Sequence, residues 1–198
     1  MNKIFCIGSI AAGKTFFAKE YSIKNNLQYI DFDRTYDMSK IDQPKYISDY
    51  FNSLPDNFII DNIPMSSDPV IRYYNFFQYA NNNNVSVYMI FCSNPVAYLN
   101  RVYTSHRIFG LIDIKRITDE ETMVEEFKYG NFRVFNDYSR SNLDIIRSFE
   151  EFIDEKIEYK VYDSFNRTFI SIDEKYRRLE WLNTVNFDYK TFLSKENK

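Results

Sequence analysis

The chain has 198 residues, of which 44% are hydrophobic and 27% charged, so it can bury the core of one globular domain spanning residues 1–198. Its formal net charge of −3 gives no overall electrostatic attraction to nucleic acid, although this charge does not exclude a local basic patch. No apolar run approaches the roughly 18 residues of a membrane span, and no signal peptide precedes the first apolar segment. We therefore expect a cytoplasmic protein without a membrane partner.

Aromatic residues make up 19% of the chain, including 17 Tyr and 19 Phe. Phe, Tyr, Asn, Ile and Lys have AT-rich codons, so we attribute this composition to an AT-rich genome, of the kind common in some bacteria and many of their viruses. This composition is consistent with a viral protein that acts in a host cytoplasm. The two cysteines, Cys6 and Cys92, lie in apolar strand-like runs, which favours free buried thiols in a reducing compartment.

Short apolar runs alternate with helical patterns along the chain. We predict strands at residues 3–7, 27–30, 58–60, 85–91 and 159–162. Helices are predicted up to about residue 25, at 44–51, from 67 to 79, from 93 to 103, and again at 143–156 and 173–183. This alternation predicts an α/β fold in three layers, a parallel sheet with helices on both faces. Ligands of such sheets bind beyond the carboxyl ends of the strands.

Residues 8–15 read G-x-x-x-x-G-K-T and fit the phosphate-binding P-loop, between a predicted strand and a predicted helix as the motif requires. Glycines let the backbone wrap closely around a phosphate, and the loop N–H groups with the helix N-terminus attract its charge. Lys14 is expected to reach the terminal phosphates and act in catalysis, and Thr15 to offer a hydroxyl to Mg²⁺. The expected nucleotide-binding residues are Gly8, Ser9, Ile10, Ala11, Ala12, Gly13, Lys14 and Thr15.

Acidic residues follow two of the other predicted strands. Asp31 and Asp33 leave the second strand on the same side of the pleat, where a carboxylate can accept a proton from an attacking hydroxyl or hold Mg²⁺ through water. Their alternative role is to cap the strand end. Asp61 closes the apolar strand 58–60 in the manner of a Walker B carboxylate, which organises Mg²⁺.

Basic residues follow the fourth predicted strand. Arg101 and Arg107 are candidates for binding transferring phosphoryl oxygens, because the guanidinium fork matches them and stays charged. Arg133 and Arg140 are candidates for binding an acceptor or closing over ATP. For all four arginines the alternative is a solvated surface charge. A lone histidine, His106, makes no metal site, and we assign it no catalytic role.

Over residues 3 to about 165 the chain resembles the P-loop kinases of nucleosides and nucleotides. Residues 58–64 resemble the strand that ends in D-G-F-P in adenylate kinases, and residues 88–101 resemble their fourth strand, the helix after it and the arginine that opens the lid. The resemblance implies a five-stranded parallel sheet in the order 2-3-1-4-5 and an enlarged lid at about 105–157. It also implies that Arg101 and Arg107 cover ATP, and that residues 159–166 form the last strand and the loop under the adenine.

The chain departs from that pattern at the acceptor side. Met65 stands where adenylate kinases have an arginine, so Arg72 or Arg34 would have to bind the acceptor's phosphate. Residues 29–34 resemble instead a segment of polynucleotide 5′-hydroxyl kinases and of small-metabolite kinases such as shikimate kinase. That likeness implies that Asp33 is the general base and Arg34 an acceptor contact.

Three functional hypotheses follow. The first is a kinase that uses ATP and Mg²⁺ to phosphorylate a nucleotide or nucleoside, with the acceptor bound by Asp33, Arg34, Arg72 and Arg133. The second changes the acceptor to a nucleic acid hydroxyl or a hydroxymethylated DNA base, as in some viral enzymes. The third is an NTP-binding regulatory module whose aromatic-rich C-terminal third contacts a partner. The acceptor, the choice between ATP and GTP, and the oligomeric state stay open.

Overall fold

The computed structural model of the chain describes residues 2–8, 11–40, 43–61, 69–94, 97, 101, 154–171 and 173–174. The strands in this part are β1 Lys3–Ile7, β2 Gln28–Asp31, β3 Phe58–Asp61, β4 Ser86–Phe91, β5 Tyr159–Asp163 and β6 Thr168–Ile170. The helices are α1 Lys14–Asn25, α2 Phe32–Thr35, α3 Pro44–Asn52 and α4 Pro69–Asn83, with a 3₁₀ turn at Met38–Lys40. Ala97 and Arg101 are also helical.

The strands form one sheet in the order β2-β3-β1-β4-β5-β6. The first five strands pair in parallel, and β6 pairs antiparallel with β5. The α/β class and the order 2-3-1-4-5 are therefore confirmed, while the expected five-stranded sheet has a sixth strand at its edge. Because β1 to β5 are parallel, their carboxyl ends meet at one edge of the sheet, where a ligand of this fold class binds.

Helices cover both faces of the sheet. Side chains of a strand alternate between faces, so neighbouring residues of β1 enter different buried clusters. Phe5 and Ile7 belong to the larger cluster, which includes side chains of α3 and α4. Ile4 and Cys6 belong to the smaller cluster, together with Phe17 of α1. The helix that follows the P-loop thus packs on one face, and α3 with α4 packs on the other.

Helix ends follow local sequence signals. Pro44 is at the first position of α3, where its missing N–H costs nothing. α1 ends at Asn25, and Asn26 takes the left-handed conformation that asparagine tolerates, with its N–H bonded to the Ser22 carbonyl. α4 continues to Asn83, four residues beyond the predicted end, and Asn84 is left-handed in turn.

Both cysteines are free and buried, as expected from their positions in apolar runs. No helix among the described residues combines the length and the hydropathy that crossing a lipid bilayer requires.

Candidate functional site

The two glycines of the P-loop motif occupy positions where a side chain would collide with its surroundings. Gly8 has φ +140°, and a Cβ there would overlap the carbonyl oxygen of Ile90 in β4. Gly13 has φ +98°, and a Cβ there would lie 3.1 Å from both Nη1 of Arg101 and Cβ of Ser164. The backbone conformation and the close neighbours at these two positions therefore require glycine, whether or not a phosphate is bound. Ser9 and Ile10 lie outside the described residues.

Lys14 and Thr15 open α1 directly after this loop. The Lys14 ammonium reaches back across the loop and donates a hydrogen bond to the Gly8 carbonyl oxygen at 2.9 Å. Helix N-termini carry a partial positive charge and unpaired N–H groups, so the lysine adds a full charge to a region already suited to anions. Strand, loop and helix thus have the arrangement that the motif predicts.

Asp61 is the last residue of β3 and is completely buried. Its Oδ1 accepts a hydrogen bond from the Tyr29 hydroxyl at 3.0 Å. Its Oδ2 is buried without a hydrogen-bond partner among the residues that the structure describes. Because buried carboxylate oxygens usually have a hydrogen-bond partner, this oxygen is a candidate ligand for a cation.

Several charges act on this carboxyl. Burial raises the pKa of Asp61, and the nearby negative charge of Asp31 adds to the rise. Hydrogen bonds from Thr15 and Tyr29 and the positive charge of Lys14 oppose it. Asp31 faces Asp61 directly, because the two residues are register partners on β2 and β3. Two carboxylates at neighbouring strand ends concentrate negative charge at this edge of the sheet, which favours binding of a cation.

The residues present fit a magnesium ion accompanied by a nucleotide. Mg²⁺ takes oxygen ligands and is usually bound by one or two carboxylates together with substrate phosphates and water. Thr15 supplies a hydroxyl, and Asp61 supplies a buried oxygen that has no hydrogen-bond partner in the described part of the chain. No group of three or more His, Cys, Asp or Glu side chains within the described ranges could hold a metal without such a substrate.

The prediction that Asp31 and Asp33 leave β2 on the same side of the pleat is wrong. β2 ends at Asp31, and Asp33 lies in the first turn of α2, exposed to solvent. The chain turns there because Phe32 and Tyr36, one helical turn apart, both bury their rings in the core with centroids 4.4 Å apart. The role of Asp33 as a general base stays a prediction.

Arg34 also lies in α2, and its Nε contacts Oδ2 of Asp31 at 3.3 Å. Its side chain is 85% exposed, so the ion pair contributes little to stability and leaves the guanidinium accessible to an anionic acceptor.

Arg101 contacts the P-loop backbone and the turn between β5 and β6. Nη1 donates to the Ala12 carbonyl oxygen at 3.3 Å and to Oγ of Ser164 at 2.7 Å, and Nη2 donates to the Ser164 carbonyl oxygen at 3.2 Å. Ser164 Oγ in turn donates to the same Ala12 oxygen at 2.6 Å. Arg101 and Ser164 therefore fix the P-loop backbone at the Ala12 carbonyl. The expected contact of Arg101 with ATP stays a prediction.

Asp163 fixes the turn that carries Ser164. It is completely buried at the end of β5, where four donors bond to its two oxygens. These donors are the Ser93 N–H and hydroxyl, the Phe165 N–H and the Asn166 amide. Neither Asp163 nor Ser164 is among the site residues predicted from the sequence. The available signal was an acid that closes an apolar strand, the same signal that drew attention to Asp61.

The other predicted site residues are placed only in part. Arg72 lies within α4. Arg107, Arg133 and Arg140 lie outside the described residues, as does the lid predicted at about 105–157 except for the turn at 154–157 before β5.

Comparisons with known proteins add little. No protein-family model matches the chain, and no curated protein matches it. Among solved structures, the chain is similar to the 1.7 Å crystal structure of shikimate kinase from Bacteroides thetaiotaomicron, with 13% identity and a TM-score of 0.39. The alignment covers 91% of this chain and 96% of that one. Because identity and TM-score are both low, the function has to be inferred from the chain's own side chains.

Proposed function

We propose that the chain is a kinase that transfers the γ-phosphoryl group of ATP, with Mg²⁺, to a nucleotide or nucleoside. The observation that supports this most is the Oδ2 atom of Asp61, buried without a described partner on the face of the sheet that α1 covers. A P-loop alone serves many NTP-binding proteins. A buried carboxylate oxygen that can bind a cation, beside the P-loop lysine and threonine, is what an NTP-hydrolysing or NTP-transferring enzyme uses.

Each part of the site has a distinct task in this proposal. The backbone N–H groups of the loop and the Lys14 ammonium bind the β- and γ-phosphates, and Thr15 and Asp61 hold Mg²⁺. When bound, the ion neutralises charge on the phosphate oxygens. Arg101, Arg107 and Arg140 are proposed to balance the charge that develops during transfer. Phosphoryl transfer depends mainly on such positioning and electrostatics, so no covalent nucleophile of the protein is required.

Asp33 is proposed to accept the proton of the acceptor hydroxyl or to orient the acceptor. Its exposure at the carboxyl edge of the sheet fits this task, because a substrate can reach it. Arg34, beside it and largely exposed, is proposed to contact an anionic group of the acceptor, together with Arg72 and Arg133. A general base needs hydrogen-bond access to the proton that it removes, and the exposure of Asp33 allows that access.

Incubation with γ-labelled ATP and Mg²⁺ tests the proposal, with a panel of nucleosides, nucleoside monophosphates, small hydroxylated metabolites and oligonucleotides. We expect one class of small acceptor to be labelled by the wild type. Lys14→Ala should lower transfer by about 100-fold or more, because a charge that stabilises the transferring phosphates is lost. Lys24→Ala, an exposed lysine in the last turn of the same helix, is the matched control and should retain full activity.

The same panel distinguishes the alternatives. Labelling of oligonucleotides alone, with acceptor affinity that falls steeply as salt rises, would replace the small acceptor by a nucleic acid. Slow hydrolysis of ATP without transfer to any acceptor would favour an NTP-binding regulatory module. Undiminished transfer by Lys14→Ala would refute the assignment of the P-loop as the phosphate site.

A further inference from the structure

Tyr29 is a partly buried tyrosine of β2 whose hydroxyl has no task in the function proposed above. It is the register partner of Ile59, and Asp61 lies two residues further along β3 on the same face. From this position the ring extends along the sheet and its hydroxyl donates to Oδ1 of Asp61 at 3.0 Å. The contact therefore joins the second strand to the carboxylate at the end of the third.

This hydrogen bond determines how the carboxylate is presented. An ionised carboxylate only accepts hydrogen bonds, so the tyrosine must be the donor. With Oδ1 occupied, Oδ2 is the oxygen left for a cation, and rotation of the carboxylate about its terminal torsion would break the bond to Tyr29.

The tyrosine ring is itself held by α1. It packs against the buried cluster that contains Phe17 and Ala18, and the Lys19 ammonium lies 5.4 Å from its centroid. α1 begins with Lys14 and Thr15, so the helix that carries the threonine hydroxyl also supplies Lys19 and part of the cluster around the Tyr29 ring. Pre-organisation of this kind raises the affinity for a ligand by lowering the cost of ordering its ligating groups.

We propose that Tyr29 is a positioning residue that orients Asp61 for the magnesium ion of a bound Mg²⁺–nucleotide complex. This inference rests on the proposed function, because it needs the P-loop to bind a nucleotide with a divalent cation. Tyr29 acts through Asp61 and does not itself contact substrate. Residues that orient metal ligands typically change metal affinity by about tenfold or more when altered.

Calorimetry tests the proposal by measuring the ATP affinity of the wild type and of Tyr29→Phe. Each protein is titrated once with excess Mg²⁺ and once with a chelator. The phenylalanine keeps the ring, its core contacts and the lysine above it. We expect Tyr29→Phe to weaken binding of the Mg²⁺ complex by about tenfold while leaving metal-free ATP affinity unchanged, since a hydrogen bond to a charged group contributes on this scale.

Tyr88→Phe is the matched control. Tyr88 lies in β4, packs in the same cluster and donates its hydroxyl to a carboxylate oxygen of Glu158 at 3.1 Å, but not to Asp61. It should leave both ATP affinities unchanged. In an Asp61→Asn background, Tyr29→Phe should add little to the loss of Mg²⁺ dependence, because the residue through which it acts is already altered.

Three results would overturn the inference. If Mg²⁺ strengthens ATP binding by Tyr29→Phe as much as it strengthens ATP binding by the wild type, the positioning role is refuted and the proposed function stays intact. Equal weakening with and without Mg²⁺ would show that Tyr29 only supports the fold near the P-loop. A wild type that does not bind ATP, or binds it equally well without Mg²⁺, would refute the proposed metal site and this inference together.

Discussion

Ser164 offers a sharp test of how the P-loop is held. Ser164→Ala removes the bond from its hydroxyl to the Ala12 carbonyl oxygen and the bond that the hydroxyl accepts from Arg101. A neutral hydrogen bond contributes about 1 kcal/mol and one with a charged partner about 1.5–3 kcal/mol. The bonds from Arg101 to both backbone carbonyls remain. We therefore expect the free energy of unfolding to fall by about 2.5–4 kcal/mol.

The same substitution should weaken ATP binding. Ala12 and Gly13 immediately precede the lysine of the motif, and Ser164 helps to fix the orientation of that peptide segment. If about half of the lost free energy is the part that keeps the loop ordered for phosphate binding, the Kd for ATP would rise about tenfold. Urea denaturation followed by far-UV circular dichroism measures the stability, and calorimetry measures the Kd.

Ser53→Ala is the control, because the Ser53 hydroxyl donates to the Tyr50 carbonyl oxygen at the same 2.6 Å but is exposed and lies at the end of α3. It should change the free energy of unfolding by less than about 0.5 kcal/mol and leave ATP affinity unchanged. Equal effects of the two substitutions on both quantities would refute the view that Ser164 supports the phosphate loop.

Three further predictions concern single side chains. Gly8→Ala should abolish stable folding or lower the melting temperature sharply, because its Cβ would overlap the Ile90 carbonyl oxygen; a melting temperature within 2 °C of wild type, on the order of 1 kcal/mol or less, would contradict this close approach. Asp163→Asn should cost about 3 kcal/mol in urea denaturation, because an amide cannot accept all four hydrogen bonds on its two polar atoms; a loss below about 1 kcal/mol would show that other contacts hold the turn. Asp33→Asn should lower kcat for transfer by about 100-fold or more with little change in ATP affinity; equal losses of both would place Asp33 in the nucleotide site instead.

Much of the fold could be predicted because its signals are local. The run before Gly8, the motif itself and the helix after it lie within 25 residues, and an apolar run that ends in Asp61 marks β3. Alternation of strands and helices then indicates a parallel sheet with its carboxyl ends together. The magnesium candidates Thr15 and Asp61 could be named from motif and strand end alone, without knowledge of their contacts.

The parts that could not be predicted depend on contacts between distant residues. Ser164 bonds to Ala12 across 152 positions of the chain, and Asp163 bonds to Ser93 across 70. α2 displaces Asp33 from the strand because Phe32 fits into the core, which no local pattern reveals. β6 is only three residues long, and the turn before it uses Arg167 at φ +53° where glycine or asparagine would have marked a turn.

Measurement of phosphoryl transfer by Asp61→Asn tests the central claim most directly. The asparagine keeps the shape of the side chain but removes the buried charge that is proposed to hold Mg²⁺. With γ-labelled ATP, Mg²⁺ and the acceptor that the wild type labels, we predict a rate at least about 100-fold below wild type at saturating ATP. Transfer at the wild-type rate, with the same dependence on Mg²⁺ concentration, would contradict the claim that Asp61 and the P-loop form one Mg²⁺–ATP site.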